Sequence, residues 1–181
     1  MKKITVKDIL EKVPCPEWTE ARLQAKIGKG KTLLEILDLS GVEDKDKIWC
    51  VIRFLDDKTN RAFAIWCARR CESKVKEVTE YIDVIERYYN GEATEEELKK
   101  ADSSSNWAAD EAANEAAYWV ADGAACGSAN EAANWAAYWA SNWAAYEAAD
   151  RAAYRLAERK KQVAYLRKVV EECNDTKEAN Q

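Results

Sequence analysis

From Trp107 to Ala157 the chain repeats a unit of four residues, and this repeat restricts the folds it can adopt. With few exceptions, each unit holds a variable residue, two alanines and then a polar residue or tyrosine. Alanine is the strongest helix former. The 181 residues include only six glycines and two prolines, the residues that most often interrupt helices. The repeat therefore predicts long α-helices and excludes a strand-and-turn fold.

Two glycines predict where the repeat helix breaks. Gly123 and Gly127 occupy the same slot of the repeat, so we expect one helix near residues 106–122 and another from about 128 to 172. A helix of some 45 residues would be about 67 Å long, so a kink or a second break within it is also expected.

The period of the repeat gives the second helix two different faces. A period of four differs from 3.6 residues per turn, so each unit rotates the pattern by about 40°. One side, here called the aromatic face, carries Trp135, Tyr138, Trp139, Asn142, Trp143 and Tyr146, and Asn134 is counted with it. The opposite side, here called the alanine face, carries the small residues Ala136, Ala137, Ala140, Ala144 and Ala145. The alanine face lets another helix backbone approach to about 8–10 Å or closer.

The first hundred residues predict short helices instead. Three capping boxes mark helix starts, at Thr5-x-x-Asp8, Thr32-x-x-Glu35 and Thr94-x-x-Glu97. Asn90-Gly91 marks a helix end, because both residues tolerate a left-handed conformation. Apolar spacing and turn signals place six helices before this stop, at 6–13, 16–26, 33–39, 46–55, 59–71 and 73–89.

These patterns predict an all-α fold, a helical bundle in which short N-terminal helices pack on a long alanine-rich C-terminal helical hairpin. The serine run at 103–105 separates two regions of different composition. We therefore expect a mixed helical region at 1–102 and the repeat helices at 103–181, within one continuous domain.

Charge and composition indicate the cellular compartment of the protein and argue against DNA and membranes as partners. The net charge of −5 and the pI near 5.1 provide no general attraction to DNA or to an anionic membrane. The N-terminus lacks the apolar run of roughly 7–15 residues that a signal peptide needs, and the repeat is too polar for a membrane span. The scattered cysteines indicate reduced thiols and a cytoplasmic protein. These cysteines are Cys15, Cys50, Cys67, Cys71, Cys126 and Cys173.

The sequence contains no histidine, which excludes most familiar catalytic and metal sites. Ser-His-Asp and Cys-His nucleophiles and His-containing zinc sites all require it. A cysteine-only zinc site around Cys50, Cys67 and Cys71 stays conceivable, but small buried side chains explain these residues better. We therefore predict no metal, no cofactor and no catalytic residue, and a protein that is not an enzyme.

Ala25-x4-Gly30-Lys31-Thr32 resembles a phosphate-binding P-loop that lacks its first glycine. No apolar strand precedes it, and the chain cannot supply a parallel sheet. A turn followed by an N-capped helix explains the same residues.

Four arginines lie on two adjacent predicted helices among aromatic residues. Guanidinium groups provide bidentate contacts to phosphate, and aromatic rings stack on nucleobases, so the pattern is typical of a nucleotide-like ligand site. A solvated or salt-bridged helix face is the alternative. The arginines are Arg53, Arg61, Arg69 and Arg70, and the rings are Trp49, Phe54, Phe63 and Trp66.

The aromatic face offers a second candidate binding surface. Its rings can stack, and its asparagines can donate and accept hydrogen bonds, whereas a purely structural core would use leucine and isoleucine. Packing in the core or against another subunit is the alternative. The candidate ligand-binding residues are Arg53, Arg69, Asn134, Trp135, Tyr138, Trp139, Asn142 and Trp143.

Residues 44–160 also resemble a group of phage and prophage proteins that are labelled immunity proteins. The likeness rests on IWCVIRFLDDKTNRAFAIWCARRC at 48–71, on IDVIERYYNGEATEEELKKA at 82–101 and on the Ala/Trp/Tyr repeat that follows. The resemblance implies binding to a toxin or defence component and a location in the host bacterial cytoplasm.

Together these features predict a homo-oligomeric, non-enzymatic, phage-type counter-defence protein that sequesters a small anionic nucleotide-derived immune signal. The alternative is an immunity or inhibitor protein that masks a toxin or defence protein through its acidic surface. A structural role as a helical scaffold is a third hypothesis.

Overall fold

The computed structural model describes residues 2–70, 76–108, 122, 125, 128–143 and 151–179. Within these residues the protein is all-α, with nine helices and no strand, which confirms the predicted fold class. The helices are α1 (Val6–Leu10), α2 (Glu20–Ile27), α3 (Leu33–Leu37), α4 (Asp44–Ile52), α5 (Asp57–Arg69), α6 (Lys76–Tyr89), α7 (Glu95–Ala108), α8 (Ala129–Trp143) and α9 (Arg151–Ala179).

The chain forms two compact units. Unit 1 comprises Met1–Phe54 and Val163–Gln181, and unit 2 comprises Leu55–Gln162. Unit 1 therefore contains α1 to α4 and the later part of α9, whereas unit 2 contains α5 to α8 and the beginning of α9. The expected division after residue 102 falls inside α7.

The capping boxes predicted from the sequence are present in the structure. In α3 the Thr32 side chain accepts a hydrogen bond from the Glu35 amide, and the Glu35 carboxylate accepts one from the Thr32 amide. Thr5 with Asp8 begins α1 in the same way. Each box satisfies backbone N–H groups that the first helical turn leaves without intrahelical partners.

Several predicted helix bounds were wrong. The first helix ends at Leu10 and does not reach Val13, which has a positive φ of 53°. The second begins at Glu20 and not at Pro16, because the Thr19 side chain accepts a hydrogen bond from the Arg22 amide and caps the helix there.

The serine run at 103–105 is helical and lies within α7. The Ser103 hydroxyl donates a hydrogen bond to the carbonyl of Lys99 at 3.0 Å, and the Ser105 hydroxyl donates one to the carbonyl of Asp102 at 3.0 Å. Serine hydroxyls can bond to carbonyls of the preceding turn without ending the helix. The change of composition at this run is therefore not a break in the backbone structure.

Unit 1 has a core of branched aliphatic residues. Its α1 packs against α2, and its α3 packs against α4. A single antiparallel bridge joins Ile4 to Lys31, with Ile4 N to Lys31 O at 2.7 Å. The buried residues of this unit include Ile4, Ile9, Leu23, Ile27, Ile36, Leu37, Ile48, Val51, Ile52, Leu166 and Val170.

The P-loop-like stretch is the predicted turn and capped helix. Gly30 has a φ of +111°, and a Cβ at this position would lie 3.3 Å from the Ile4 carbonyl oxygen. Lys31 pairs with Ile4 in the bridge, and Thr32 caps α3. Glycine is therefore required here by backbone conformation and by the close approach of the N-terminal segment.

Unit 2 is built on a close contact between α5 and α8, and α6 packs against both α5 and α7. On α5 three small residues, Ala64, Cys67 and Ala68, are fully buried. The alanine face of α8 is buried as well, as is expected of a surface against which another helix packs. In the structure it extends toward the N-terminus of α8 and comprises Ala129, Ala132, Ala133, Ala136, Ala137 and Ala140 among the described side chains.

The two predicted repeat helices are only partly described. Most of the helix expected at 106–122 lies outside the described residues, although α7 continues to Ala108. The helix expected from 128 to 172 corresponds to α8 and α9, with residues 144–150 outside the described part. Among the described helices, none is both long enough and apolar enough to cross a bilayer.

Candidate functional site

The start and the buried side of α8 determine which of its residues face outward. A capping box begins the helix, because the Ser128 amide donates to the Glu131 carboxylate at 3.0 Å and the Glu131 amide donates to the Ser128 hydroxyl at 3.3 Å. The alanine face is buried, so the aromatic face turns away from the core of unit 2. Trp135 is 49% exposed and Tyr138 is 50% exposed.

The rings of the aromatic face contact one another in edge-to-face pairs. The ring centroids of Trp135 and Tyr138 lie 6.3 Å apart with an interplanar angle of 90°. Those of Tyr138 and Trp139 lie 5.4 Å apart at 79°. Such pairs stabilise the orientation of each ring. The three residues therefore form one continuous aromatic surface on consecutive turns of α8.

Of the other residues of the aromatic face, the structure describes only some side chains. Asn134 is half-buried beside Trp135 in the sequence. Asn142 and Trp143 lie in the last turn of α8, and their side chains are outside the described part. Their binding roles stay predictions.

Arg69, predicted to meet a phosphate, forms ion pairs with two carboxylates of α6. Its Nη1 lies 2.5 Å from Asp83 Oδ1, and its Nη2 lies 2.5 Å from Glu86 Oε2. Burial alone would lower the pKa of Arg69, but the hydrogen bonds to Glu86 and Asp83 raise it above its ordinary value. A phosphate would have to compete with these carboxylates, so the salt-bridged alternative describes Arg69 in this structure. Its ligand-binding role stays a prediction.

Two further arginines of the cluster lie over aromatic rings, as guanidinium groups often do. The Arg61 guanidinium lies 4.2 Å from the ring centroid of Tyr89 in unit 2. In unit 1, Arg53 follows α4 as its C-cap and lies 5.2 Å from the ring centroid of Trp49. The Arg53 Nε is buried and has no hydrogen-bond partner among the described residues. Arg53 therefore keeps a donor that a bound anion could satisfy.

The described cysteines fit small apolar side chains better than metal ligands. Cys15 and Cys173 are at least partly exposed free thiols, and Cys50 and Cys67 are buried. Burial raises the pKa of the Cys50 thiol to about 12, so it stays protonated at neutral pH. No cluster of metal-ligating side chains occurs among the residues that the structure describes. Cys71 and Cys126 lie outside them.

The sequence analysis missed two polar residues that are buried and hydrogen-bonded to other helices in unit 2. Glu158 and Gln162 of α9 are buried, at 4% and 0% exposure. Both lie where the fourth slot of the repeat would fall if its spacing continued past Tyr154. Extending the period beyond the last alanine pair could have identified them.

No family model, curated protein or solved structure matches this chain. The resemblance to phage immunity proteins therefore stays a prediction.

Proposed function

We propose that this chain is a non-catalytic binding protein and that the aromatic face of α8 contacts a protein partner. One observation carries the proposal: Trp135 and Tyr138 are half-exposed on a helix whose small residues are buried. In most helices the large apolar side chains are inside and the small or polar ones are outside. In α8 this order is reversed, which favours a contact role for the rings.

The chemistry of the rings suits a protein surface. Tryptophan and tyrosine are enriched among the residues that dominate binding energy at protein interfaces. They bury a large area and lose little conformational entropy. The edge-to-face pairs Trp135–Tyr138 and Tyr138–Trp139 reduce that loss further. Trp135, Tyr138 and Trp139 stand at positions i, i+3 and i+4, the spacing of anchors that enter an apolar groove.

Charge indicates the kind of partner. Unit 2 contains 14 basic and 20 acidic residues, whereas unit 1 contains 14 and 13, so the negative charge of the protein resides in unit 2. Complementary charge steers association and disfavours wrong partners. We therefore expect the partner to present an apolar groove within a basic surface. An immunity-type role in the cytoplasm of a bacterial host is part of this proposal.

Truncation of the aromatic face tests the proposal. A protein captured from bacterial lysate should bind Trp135→Ala/Tyr138→Ala at least about thirtyfold more weakly than the wild type, because a central aromatic anchor contributes about 2 kcal/mol or more. Tyr154→Ala is the matched control, since Tyr154 is 56% exposed on α9 and lies outside the aromatic face. Higher salt should slow association. Equal affinity of both variants for the captured protein would exclude the aromatic face as its contact surface.

The experiments must also test whether the aromatic face binds a second copy of the chain. Sedimentation at several concentrations should show whether the wild type self-associates. If Trp135→Ala/Tyr138→Ala converts an oligomer to a monomer while Tyr154→Ala does not, the face is a self-association surface and the proposal of a foreign partner is wrong. A closed small oligomer would also contradict a filament or scaffold role.

Sequestration of a small anionic nucleotide-like ligand is a second candidate function. The buried Nε of Arg53, beside the Trp49 ring, has no hydrogen-bond partner in the part of the chain that the structure describes, and this favours it. Calorimetric titration with cyclic nucleotides and ADP-ribose-type compounds tests it, and Arg53→Met should abolish any binding while Arg22→Met, another guanidinium over a ring, should not. Absence of heat with every compound would eliminate this candidate, and consumption of a nucleotide would indicate an enzyme.

A further inference from the structure

The first turns of α9 are exposed on every side. From Ala152 to Ala157 each residue of the helix is exposed, although a helix in a folded protein usually buries one side. Leu156 is 55% exposed, whereas most leucine side chains are buried. Burial begins at Glu158, whose two oxygens accept hydrogen bonds from the Arg70 guanidinium at 2.5 and 2.8 Å. The segment before Glu158 therefore presents a complete helix surface to the solvent.

One side of this part of α9 carries three cations around Leu156. Residues at positions i, i+3, i+4, i+7 and i+8 lie along one side of a helix. This side, here called the cationic face, consists of Ala152, Arg155, Leu156, Arg159 and Lys160. Arg155 and Lys160 are exposed, and Arg159 is half-buried. Arg155 and Arg159 are like charges at i and i+4, which destabilise a helix unless an opposite charge is near.

The cations of this face differ from most other cations of unit 2 in their surroundings. Five cations of unit 2 each lie between 2.5 and 3.3 Å from a carboxylate oxygen, namely Arg69, Arg70, Lys76, Arg87 and Lys99. Arg155, Arg159 and Lys160 have no such partner among the residues that the structure describes. Lys58 and Lys100 also lack one there, but they lie on two different helices, α5 and α7. The cationic face therefore concentrates positive charge that the described carboxylates of its own copy do not neutralise.

The remainder of unit 2 has the opposite charge. Residues 151–162 contain five basic residues and one acidic residue, whereas residues 55–150 contain nine basic and 19 acidic residues. Three exposed carboxylates of this remainder form no ion pair within the described part of the chain, namely those of Glu77, Glu92 and Glu96. Complementary charge steers association, and one surface of a protein can bind a different surface of a second copy. Two cationic faces would repel each other, so the face of one copy is complementary to the acidic remainder of another.

We propose that the cationic face of α9 binds the acidic surface of unit 2 in a second copy of this chain. Leu156 supplies apolar area at the centre of the contact, and Arg155 and Lys160 meet carboxylates at its rim. The contact does not involve the aromatic face of α8, so it goes beyond the function proposed above.

Two other anionic occupants fit these observations less well. A nucleic acid is repelled by the acidic remainder of unit 2, and its phosphate backbone offers no apolar surface to Leu156. An anionic membrane is repelled for the same reason, and one leucine provides little apolar area for insertion. A protein surface with exposed carboxylates matches both the charge and the apolar centre of the face, and the chain itself carries such a surface.

Sedimentation at several protein concentrations, in about 50 mM and about 500 mM salt, tests the proposal. The wild type should self-associate at low salt and should associate more weakly at high salt, because salt screens exposed charges. Arg155→Glu/Lys160→Glu should raise the dissociation constant at least about tenfold, because the reversed charges repel the acidic surface. Both residues are exposed, so the variant should keep its helical circular dichroism.

A matched control separates the cationic face from net charge. Lys58→Glu/Lys100→Glu changes the net charge by the same amount at exposed residues of unit 2 and should self-associate like the wild type. Trp135→Ala/Tyr138→Ala should also self-associate like the wild type, so the contact proposed here and the contact of the aromatic face with a foreign partner can fail independently. If Arg155→Glu/Lys160→Glu loses its helical signal, Lys160→Glu alone decides by the same comparison.

Four results would overturn the proposal. They are a wild type that stays monomeric at low salt, an association that Arg155→Glu/Lys160→Glu leaves unchanged, an equal loss of association in this variant and in Lys58→Glu/Lys100→Glu, and a loss of association in Trp135→Ala/Tyr138→Ala. A gel shift with a labelled DNA duplex and a labelled RNA strand identifies the alternative occupant. If a monomeric wild type binds either strand and Arg155→Glu/Lys160→Glu does not, the face binds nucleic acid and the proposal is wrong.

Discussion

The two units of this protein bury different kinds of side chain. In unit 1 the interior consists of isoleucine, leucine and valine, with Ile36 and Ile52 at 2% and 0% exposure. In unit 2 the buried side of α8, a helix that packs against α5, consists of alanine, with Ala132, Ala133 and Ala136 fully buried. A branched aliphatic side chain removes much more apolar area from water than alanine does.

The difference shows how an alanine-rich helix can be stable in a folded protein. Its small side chains contribute little burial each, so close backbone approach and larger neighbours on other helices must supply the packing energy. Phe63 on α5 and Ile82 and Ile85 on α6 are fully or almost fully buried and add apolar area to the interior of unit 2. Because alanine occupies the buried side of α8, Trp135 and Tyr138 lie on the half-exposed side of the helix.

The largest expected effect compares a buried thiol of unit 1, Cys50, with an exposed thiol of the same unit, Cys15. Cys15 should react with a maleimide at least about a thousandfold faster than Cys50, because burial both shields the Cys50 thiol and raises its pKa to about 12. Peptide mass spectrometry separates the individual cysteines. Similar labelling rates for the two would contradict the burial of α4.

In low denaturant the same labelling reports which unit opens first. We expect Cys50 of unit 1 to become reactive before Cys67 of unit 2, because the helices of unit 1 that precede Phe54 are short, with five to nine residues each. Earlier labelling of Cys67 would show that the alanine-packed unit is the less stable one.

In unit 1, removal of side-chain volume should be the most damaging kind of substitution. Ile36→Ala should lower the free energy of unfolding by about 3 kcal/mol, because it leaves a cavity in a core that excludes water. Urea unfolding measures the change. The control Leu10→Ala, at a residue that is 36% exposed, should cost clearly less, and an equal cost for both would show that the core of unit 1 does not depend on this packing.

In unit 2, addition of volume should be the damaging substitution. Ala133→Leu should lower the free energy of unfolding by about 2 kcal/mol, because Ala133 is fully buried and a larger side chain in a packed interior forces its neighbours apart. Ala152→Leu introduces the same side chain at an exposed position of α9 and should be nearly neutral. If both variants unfold at the same urea concentration as the wild type, the close approach of α5 and α8 is wrong.

The smallest expected effect concerns the capping boxes, which occur at helix starts in both units. A backbone hydrogen bond from Thr32 holds the pKa of Glu35 below its ordinary value of 4.5, and one from Thr94 does the same for Glu97. Carboxylates with a lowered pKa stabilise the folded state above their unfolded pKa and lose this effect as the pH falls. Glu35→Gln and Glu97→Gln should therefore lower the melting temperature at pH 7.

The same variants should approach the wild type as the pH falls below 4.5, because the wild-type carboxylates then become protonated. Thermal unfolding followed by circular dichroism at pH 7 and in acid measures this convergence. A difference from the wild type that stays constant with pH would show that the caps do not act through charge.

Much of the local structure follows from short sequence patterns. Thr5-x-x-Asp8 and Thr32-x-x-Glu35 correctly predict the starts of α1 and α3, because a capping box needs only residues within one turn. The alanine and aromatic faces of α8 follow from helical angles alone. The same reasoning failed at Ser103–Ser105, because the side-chain hydroxyls bond within the helix and so leave it intact.

The partners of charged residues could not be predicted in the same way. Arg69 pairs with carboxylates 14 and 17 residues further along the chain, and Arg70 pairs with Glu158, 88 residues away. In the sequence Glu158 lies in a highly charged segment and looks like a surface residue. Only the arrangement of α5, α8 and α9 within unit 2 brings it into the interior.

The sequence by itself thus determined that the chain is helical, where several helices begin, and that the repeat has one small and one aromatic face. These properties depend on hydrogen bonds and angles within a few residues. The tertiary structure decided which face is buried, which arginines are neutralised by carboxylates and which polar residues bind across the interior. These outcomes depend on distances between segments that are far apart in the chain, and the same local patterns are compatible with many such arrangements.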